Sequence, residues 1–375
     1  MVFYGQEEDL PVSWSLNIET SPEIFSFHAL DMEAIMEEDR KNDLDKSKPW
    51  RYGIERDVYA DIREHGLWTS VSEGGKIWQF VIHSPDAINI SVNFNDIYLP
   101  EGSKLHLYNQ ERTDLIRPFS NLAANQNQLG TWFVEGEKVW IEYYQPSSAE
   151  NPRIQIESII HGYRLGILND REWGFEDSGA CHYDVNCPVG ADFDSQKDIL
   201  KKAVALLNLG NGHLCTATLI NTTKGDKTPY LLTANHCLET SDPSFWSVRF
   251  NWISEDPVCG EDKPSGNAFN NFTMSGAQFR ASNSMTDFAL VELNQSIPGS
   301  WDVAFAGWDK TDNLPAFEVG IHHPKGDIMK VCRDDSGAQK VMAVGKEIWL
   351  IGGGEQGWGN GWEIGTTESG SSGSP

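Results

Sequence analysis

From Lys76 onward the apolar positions recur every second residue. Ile88, Ile90, Val92 and Phe94 alternate with Asn89, Ser91, Asn93 and Asn95, the period of a strand with one face buried and the other wet. Runs of the same kind stand at 104–108 (KLHLY), 131–134 (TWFV), 138–144 (KVWIEYY) and 153–160 (RIQIESII), parted by turn-favouring clusters of Gly, Pro, Asn and Ser. Upstream, Leu30, Met32, Ile35 and Met36 recur at roughly helical spacing within 27–43, which predicts one short peripheral helix. Downstream, 203–209 and 213–220 flank Gly210-Asn211-Gly212 and read as a β-hairpin, with Cys215, Ala217 and Leu219 on one face of its second strand. Between these regions, 165–190 is acidic, Gly-rich and without period, which marks a boundary. The pattern predicts an all-β chain: a β-sandwich-like domain over 1–165, a linker over 166–180 and a second β domain over 181–375.

A length of 375 residues leaves room for more than one core, and 22% charged against 39% hydrophobic residues is a globular balance. Lys and Arg number 29 against 55 Asp and Glu, a net charge of −26 that repels a phosphate backbone and argues against nucleic acid as a partner. No apolar run reaches the roughly 18 residues of a membrane helix, so no membrane partner is expected either. Residues 1–10 (MVFYGQEEDL) lack the basic flank and apolar stretch of a signal peptide, so any export signal was removed or lies upstream. The six cysteines fit thiols or bridges equally well until their spacing is considered.

Three segments of the second half carry chemistry. The first, LLTANHC, ends in His236 and Cys237. A lone His is more often structural than catalytic, but Cys215 on the preceding strand changes the weighting. A bridge to Cys237 would pin the residue beside His236 and hold a base on a sheet edge. In the second, 286–293 (TDFALVEL), Asp287 opens an apolar strand. Its bland reading is a turn hydrogen bond. Its functional reading is a buried carboxylate that accepts from the His ring, with Phe288, Leu290 and Val291 lowering the dielectric around it. The third, GSSGSP at 370–375, reads as a flexible linker on composition alone. Yet Ser372 has Gly370 two residues before it and Gly373 just after, and such glycines let backbone N–H groups converge on a carbonyl oxygen that becomes charged.

In this order the three segments resemble the chymotrypsin-like serine proteases: LTANHC is similar to that family's TAAHC, TDFALVEL to its Asp-bearing strand, GSSGSP to its GDSGGP. More narrowly, SGACHYDVNCPVG, TDFALVELN, AFAGWDKTD, GIHHPKGD and TTESGSSGSP resemble bacterial lysyl endopeptidases across about 177–375. WQFVIHSP and SIIHGYR, within 78–164, resemble the β-rich propeptide of related secreted bacterial peptidases. The resemblance implies a chymotrypsin-like double β-barrel behind a propeptide-like domain. Ser372 would be the nucleophile, His236 the general base and then acid, Asp287 the residue orienting His236, and the N–H groups of Gly370 and Ser372 the oxyanion hole. It further implies disulfides Cys215–Cys237 and Cys187–Cys259, protein or peptide substrates, no cofactor or metal, and a secreted, monomeric serine endopeptidase cutting after Lys or Arg.

The chain also departs from that pattern. It ends three residues after Ser372, where the family continues, so the second barrel is expected to be incomplete, without the pocket wall that selects the residue before the scissile bond. Thr366 stands where trypsin-like enzymes place a specificity Asp, and Ser371 stands where GDSGGP has an Asp that pairs with a new amino terminus on activation, so that switch cannot operate. No Lys lies between Lys138 and Lys197, and Arg164 and Arg171 are the basic residues the linker offers for processing. Cys181 matches a family cysteine whose partner lies downstream; it either pairs with Cys332 or leaves Cys332 free. His322 and His323 read as structural, because adjacent strand residues point to opposite faces and no second ligand set accompanies them. Two readings of other classes compete: a catalytically inactive homologue using the fold to bind, and a carbohydrate-binding β protein whose 14 Trp supply stacking surfaces.

Overall fold

The structure is a computed structural model that describes residues 9–45, 48–72, 74–120, 122, 126–164, 181–261, 265, 272–343, 346–353 and 359–375; the expected linker lies outside the described residues. The alternating runs form strands at Asn89–Tyr98, Lys104–Asn109, Lys138–Gln145 and Arg153–Gly162. They sort into two sheets. One runs Ile24–Ser26, Lys76–His83, Lys138–Gln145, Lys104–Asn109, Leu115–Phe119; the other runs Val134–Glu135, Asn89–Tyr98, Arg153–Gly162, Gly53–Asp61. Ile90, Val92 and Phe94 of the second meet Phe80, Leu107 and Ile141 of the first in one buried cluster, each worth about 1.5–3 kcal/mol of transfer free energy. The helix is Met32–Asn42, begun by Asp31, whose side chain accepts from Ala34 N.

Two expectations change here. The polar face of Asn89–Tyr98 is not wet: Asn89, Ser91 and Asn93 are buried as fully as their apolar neighbours. The second half of the chain covers it, with Asn93 Nδ2 donating to Gly210 O at 2.7 Å and Tyr52 OH, 3.3 Å from Ser91 Oγ, donating to Asn208 Oδ1 at 3.2 Å. The run 131–134 is also not one strand. Pairing occurs at Leu129–Gly130 and Val134–Glu135, and between them Thr131 Oγ1 accepts from Val92 N at 2.9 Å, a side chain taking the place of a ladder carbonyl.

The hairpin predicted at 203–220 is present, Val204–Asn208 against His213–Ile220. It sits in an antiparallel sheet ordered Phe272–Ser275, Ser247–Phe250, Val204–Asn208, His213–Ile220, Tyr230–Ala234, Phe288–Leu293, Ala277–Asn283. The first and last strands of that order are joined through Gly276, at φ 84°, so the sheet curls back on itself. Ala205, Leu207, Cys215, Ala217, Leu231, Val248 and Val291 fill its interior. Leu206 and Leu214, on the other face, join the core of the amino-terminal sheets. Trp50–Arg51 extends the barrel sheet by pairing with His213 and Leu214. The two halves thus share a packed, hydrogen-bonded boundary.

A smaller sheet, Tyr183–Asp184, Lys330–Asp334 and Glu318–His322, follows, with its own core of Val185, Val204, Ile321, Met329 and Val331. Among the described residues a hairpin of Gln339–Ala343 and Lys346–Leu350 accompanies it, and no closed second barrel is seen. No helix among the described residues is long and apolar enough to cross a membrane.

Candidate active site

Two barrel strands stop together at the base. Tyr230–Ala234 pairs with Phe288–Leu293 so that Ala234 faces Phe288, and the next residues, Asn235 and Asp287, meet at the sheet end. Asn235 N donates to Asp287 O at 3.0 Å, and the chain turns into the one-turn helix Asn235–Leu238. Asp287 then accepts twice from His236: Oδ1 from the backbone N–H at 3.0 Å and Oδ2 from Nδ1 at 2.8 Å. With Nδ1 donating to a carboxylate, Nε2 is left as the basic nitrogen. Asp287 lies at φ 51°, a left-handed conformation that Asp tolerates better than most residues. The disulfide Cys215–Cys237 ties the helix to the neighbouring strand, and Cys187–Cys259 closes the second expected bridge.

The surroundings expected for Asp287 are not those found. Its side chain is 41% exposed, against 18% for His236, and Phe288 is exposed as well. The buried members of its strand are Ala289, Val291 and Leu293, because the alternation starts one residue later and turns the strand's first positions to solvent. Asp287 therefore holds His236 through two directed hydrogen bonds more than through a low local dielectric.

The segment 369–374 packs against the barrel from the other side. Thr216 N donates to Ser372 O at 2.8 Å, and Thr216 Oγ1 donates to Gly370 O at 3.0 Å. Gly373, at φ 86°, lies so close to Thr233, Ala234 and the Thr216 carbonyl that a Cβ would overlap them. Gly370, at φ 92°, presses on His323 and Lys325 in the same way, and Lys325 N donates to Ser369 O at 2.7 Å. Cys237 Sγ, on the residue after His236, is 4.0 Å from Ser372 O, which brings all three expected catalytic residues to one end of the barrel. Among the described residues the N–H groups of Gly370 and Ser372 donate to no protein acceptor, and His236 Nε2 has no partner, so no hydrogen bond joins it to Ser372 here. An imidazole with one free nitrogen and a loop with two unspent N–H donors at the same end of the barrel are parts that acyl transfer uses.

Three residues at this site were not singled out for it by sequence reasoning. Thr216 carried one signal, as the polar residue between inward-facing Cys215 and Ala217. Ser371 was noted as standing in place of the family's Asp and His322 was read as structural, but nothing pointed to their contact, Nδ1 to Oγ at 2.7 Å, which joins residues 49 apart. Cys181 and Cys332 do not pair. Cys181 is exposed, and burial pushes the Cys332 thiol up to about 12. The amino-terminal half reaches the same loop: Ser369 Oγ donates to Asp43 O at 3.4 Å, just past the helix Met32–Asn42.

Residues 175–375 match the family described as "Lysyl endopeptidase, C-terminal domain". Lysyl endopeptidase of Pseudomonas aeruginosa is 23% identical over 294 residues, covering 74% of this chain, and the match spans 61% of that relative. Solved structures with some likeness include Rv3671c from M. tuberculosis H37Rv (12% identity, 47% of this chain and 69% of that one, TM-score 0.28) and the MamO protease domain from Magnetospirillum magneticum (12%, 40% and 69%, TM-score 0.26). Deg5 gives 11% identity over 50% of this chain and 80% of that one, at a TM-score of 0.30.

Proposed function

This chain belongs to the lysyl endopeptidase C-terminal domain family, and on that footing we propose that it is the precursor of a serine endopeptidase working through Ser372, His236 and Asp287. The observation that carries the reading is the double grip of Asp287 on His236, which fixes the tautomer with a free Nε2 at the end of the barrel where Ser372 lies. As Ser372 Oγ bonds the scissile carbonyl carbon, His236 Nε2 takes the hydroxyl proton, and the oxygen that gains charge is held by the N–H groups of Gly370 and Ser372. His236 then protonates the leaving amine as the C–N bond breaks. A water, deprotonated by the same nitrogen, releases the acyl group as a carboxylic acid and restores Ser372. The contact between His236 and Ser372 forms with substrate, as catalytic hydrogen bonds often do.

The amino-terminal half acts as a docked propeptide in this reading. Its support is the contact from Asp43 to Ser369, backed by Asp39, which is buried and paired with both Arg51 and Arg164. Two disulfides favour an oxidising, extracellular setting. Specificity for Lys before the scissile bond follows from the family alone. The test is the intact mass of the natively produced protein before and after a fluorophosphonate, with a library of peptides carrying Lys, Arg or neutral residues at the cut. One adduct, absent in Ser372→Ala, together with a kcat loss of about 10⁶ in that variant, is expected. A wild-type protein that takes no adduct at all would sink the reading.

A further inference from the structure

Ser371 stands between the two N–H donors of the proposed oxyanion hole, and its side chain turns inward. Its Oγ accepts from Glu368 N at 3.2 Å and lies 2.7 Å from His322 Nδ1. His322 is wholly enclosed at the end of strand Glu318–His322, with the His182 ring 5.6 Å away. Burial, helped by His182, His323 and Lys330 nearby, holds its pKa well below the ordinary imidazole range, so the ring is neutral. Lys330 is committed elsewhere, to Asp184 and Asp327. The next residue continues the tether: His323 N donates to Thr216 Oγ1 at 3.1 Å, and that hydroxyl donates to Gly370 O.

We propose that the hydrogen bond between His322 and Ser371, backed by Thr216, is the device that positions the oxyanion loop: a neutral staple in the place where the proteases this chain resembles use an aspartate paired with a new amino terminus. The proposal rests on the function proposed above. Neither residue touches substrate; both act through the backbone of 370–372. The loop needs such a tether because a residue without a Cβ has a wide range of backbone angles open to it, and a donor aimed elsewhere no longer meets the developing charge. The surroundings explain why the staple is neutral, since a carboxylate at position 371 would face an uncharged ring while Lys330 is already paired with Asp184 and Asp327.

The test uses the full-length protein, matured as the cell matures it, with peptide-ester kinetics, fluorophosphonate labelling and thermal melting on each variant. Ser371→Ala and His322→Leu are each expected to lower kcat about 10- to 100-fold with KM within about twofold, and with Ser372 still labelled. The double variant should be no worse than the weaker single one, because both remove the same contact. His322→Asn, which keeps an acceptor near the place of Nδ1, should recover most of kcat, and it keeps the idea testable if Leu disturbs folding. Wild-type kcat in Ser371→Ala, or losses that multiply in the double variant, would overturn the proposal. Absence of labelling in the wild type would instead overturn the serine peptidase reading, and the staple with it.

Discussion

Replacing Asp287 with Asn changes one atom and separates orientation from strain. Asn accepts φ near 51° about as readily as Asp, so the backbone at the strand start is undisturbed. The amide oxygen can keep the bond from His236 N, which leaves the amide NH₂ facing Nδ1. Donor then meets donor, and the ring settles as the tautomer with its proton on Nε2, unable to take one from Ser372; such an error costs about 10⁴ in kcat. The lost charge adds less. Opposite charges about 4 Å apart are worth about 4 kcal/mol at an effective dielectric of 20 and about 1 kcal/mol in water, and a carboxylate 41% exposed sits toward the watery end. Tautomer choice therefore dominates, and a fall of about 10³ to 10⁴ in kcat with little change in KM or melting temperature is expected. Asp287→Ala should lose activity similarly but also melt earlier, since Ala at this φ costs about 1–2 kcal/mol. Active-site-titrated kinetics with melting curves on both variants provide the measurement. Asp287→Asn keeping more than a tenth of wild-type kcat would refute the orienting role.

Gly373→Ala places a methyl against Thr233 and the Thr216 carbonyl at φ 86°; it should lower stability by about 2–4 kcal/mol through strain and overpacking together, read as an earlier melt along with lost kcat, and an unshifted melt would show that the loop is not packed as described. Glu135 lies at the boundary between the halves, where burial and then Asp114 raise its carboxyl to about 7 against the pull of Arg249. A carboxyl raised in the folded state binds more protons than the unfolded chain between about 4.5 and 7, so stability falls as pH rises through that window. Glu135→Gln should flatten the fall, and identical melting-versus-pH curves for the two proteins would argue against it.

The strands were legible wherever the period of two was clean. Asn89–Tyr98 and Arg153–Gly162 lie close to where the alternation put them, because alternation reports backbone conformation directly. It failed at 131–134, where Thr131 spends its hydroxyl on the ladder, a choice that composition does not reveal. It also misjudged what covers a strand: Asn89, Ser91 and Asn93 look like a wet face, and they are buried because a distant part of the chain packs there, Gly210 O accepting from Asn93 and Asn208 from Tyr52, which itself meets Ser91.

The site divides along the same line. Residue type and order put forward His236, Asp287 and Ser372 as candidates, since few side chains can serve as base, orienter and nucleophile and glycines flank Ser372. Folding alone decided that the Asp287 side chain stays 41% exposed and that Ser371 meets His322. The reason is physical. A local pattern carries the conformation of its own segment and the character of one face, whereas hydrogen-bond partners and burial depend on which remote segment is packed alongside, and that is set by the curl of the barrel sheet and the docking of the two halves.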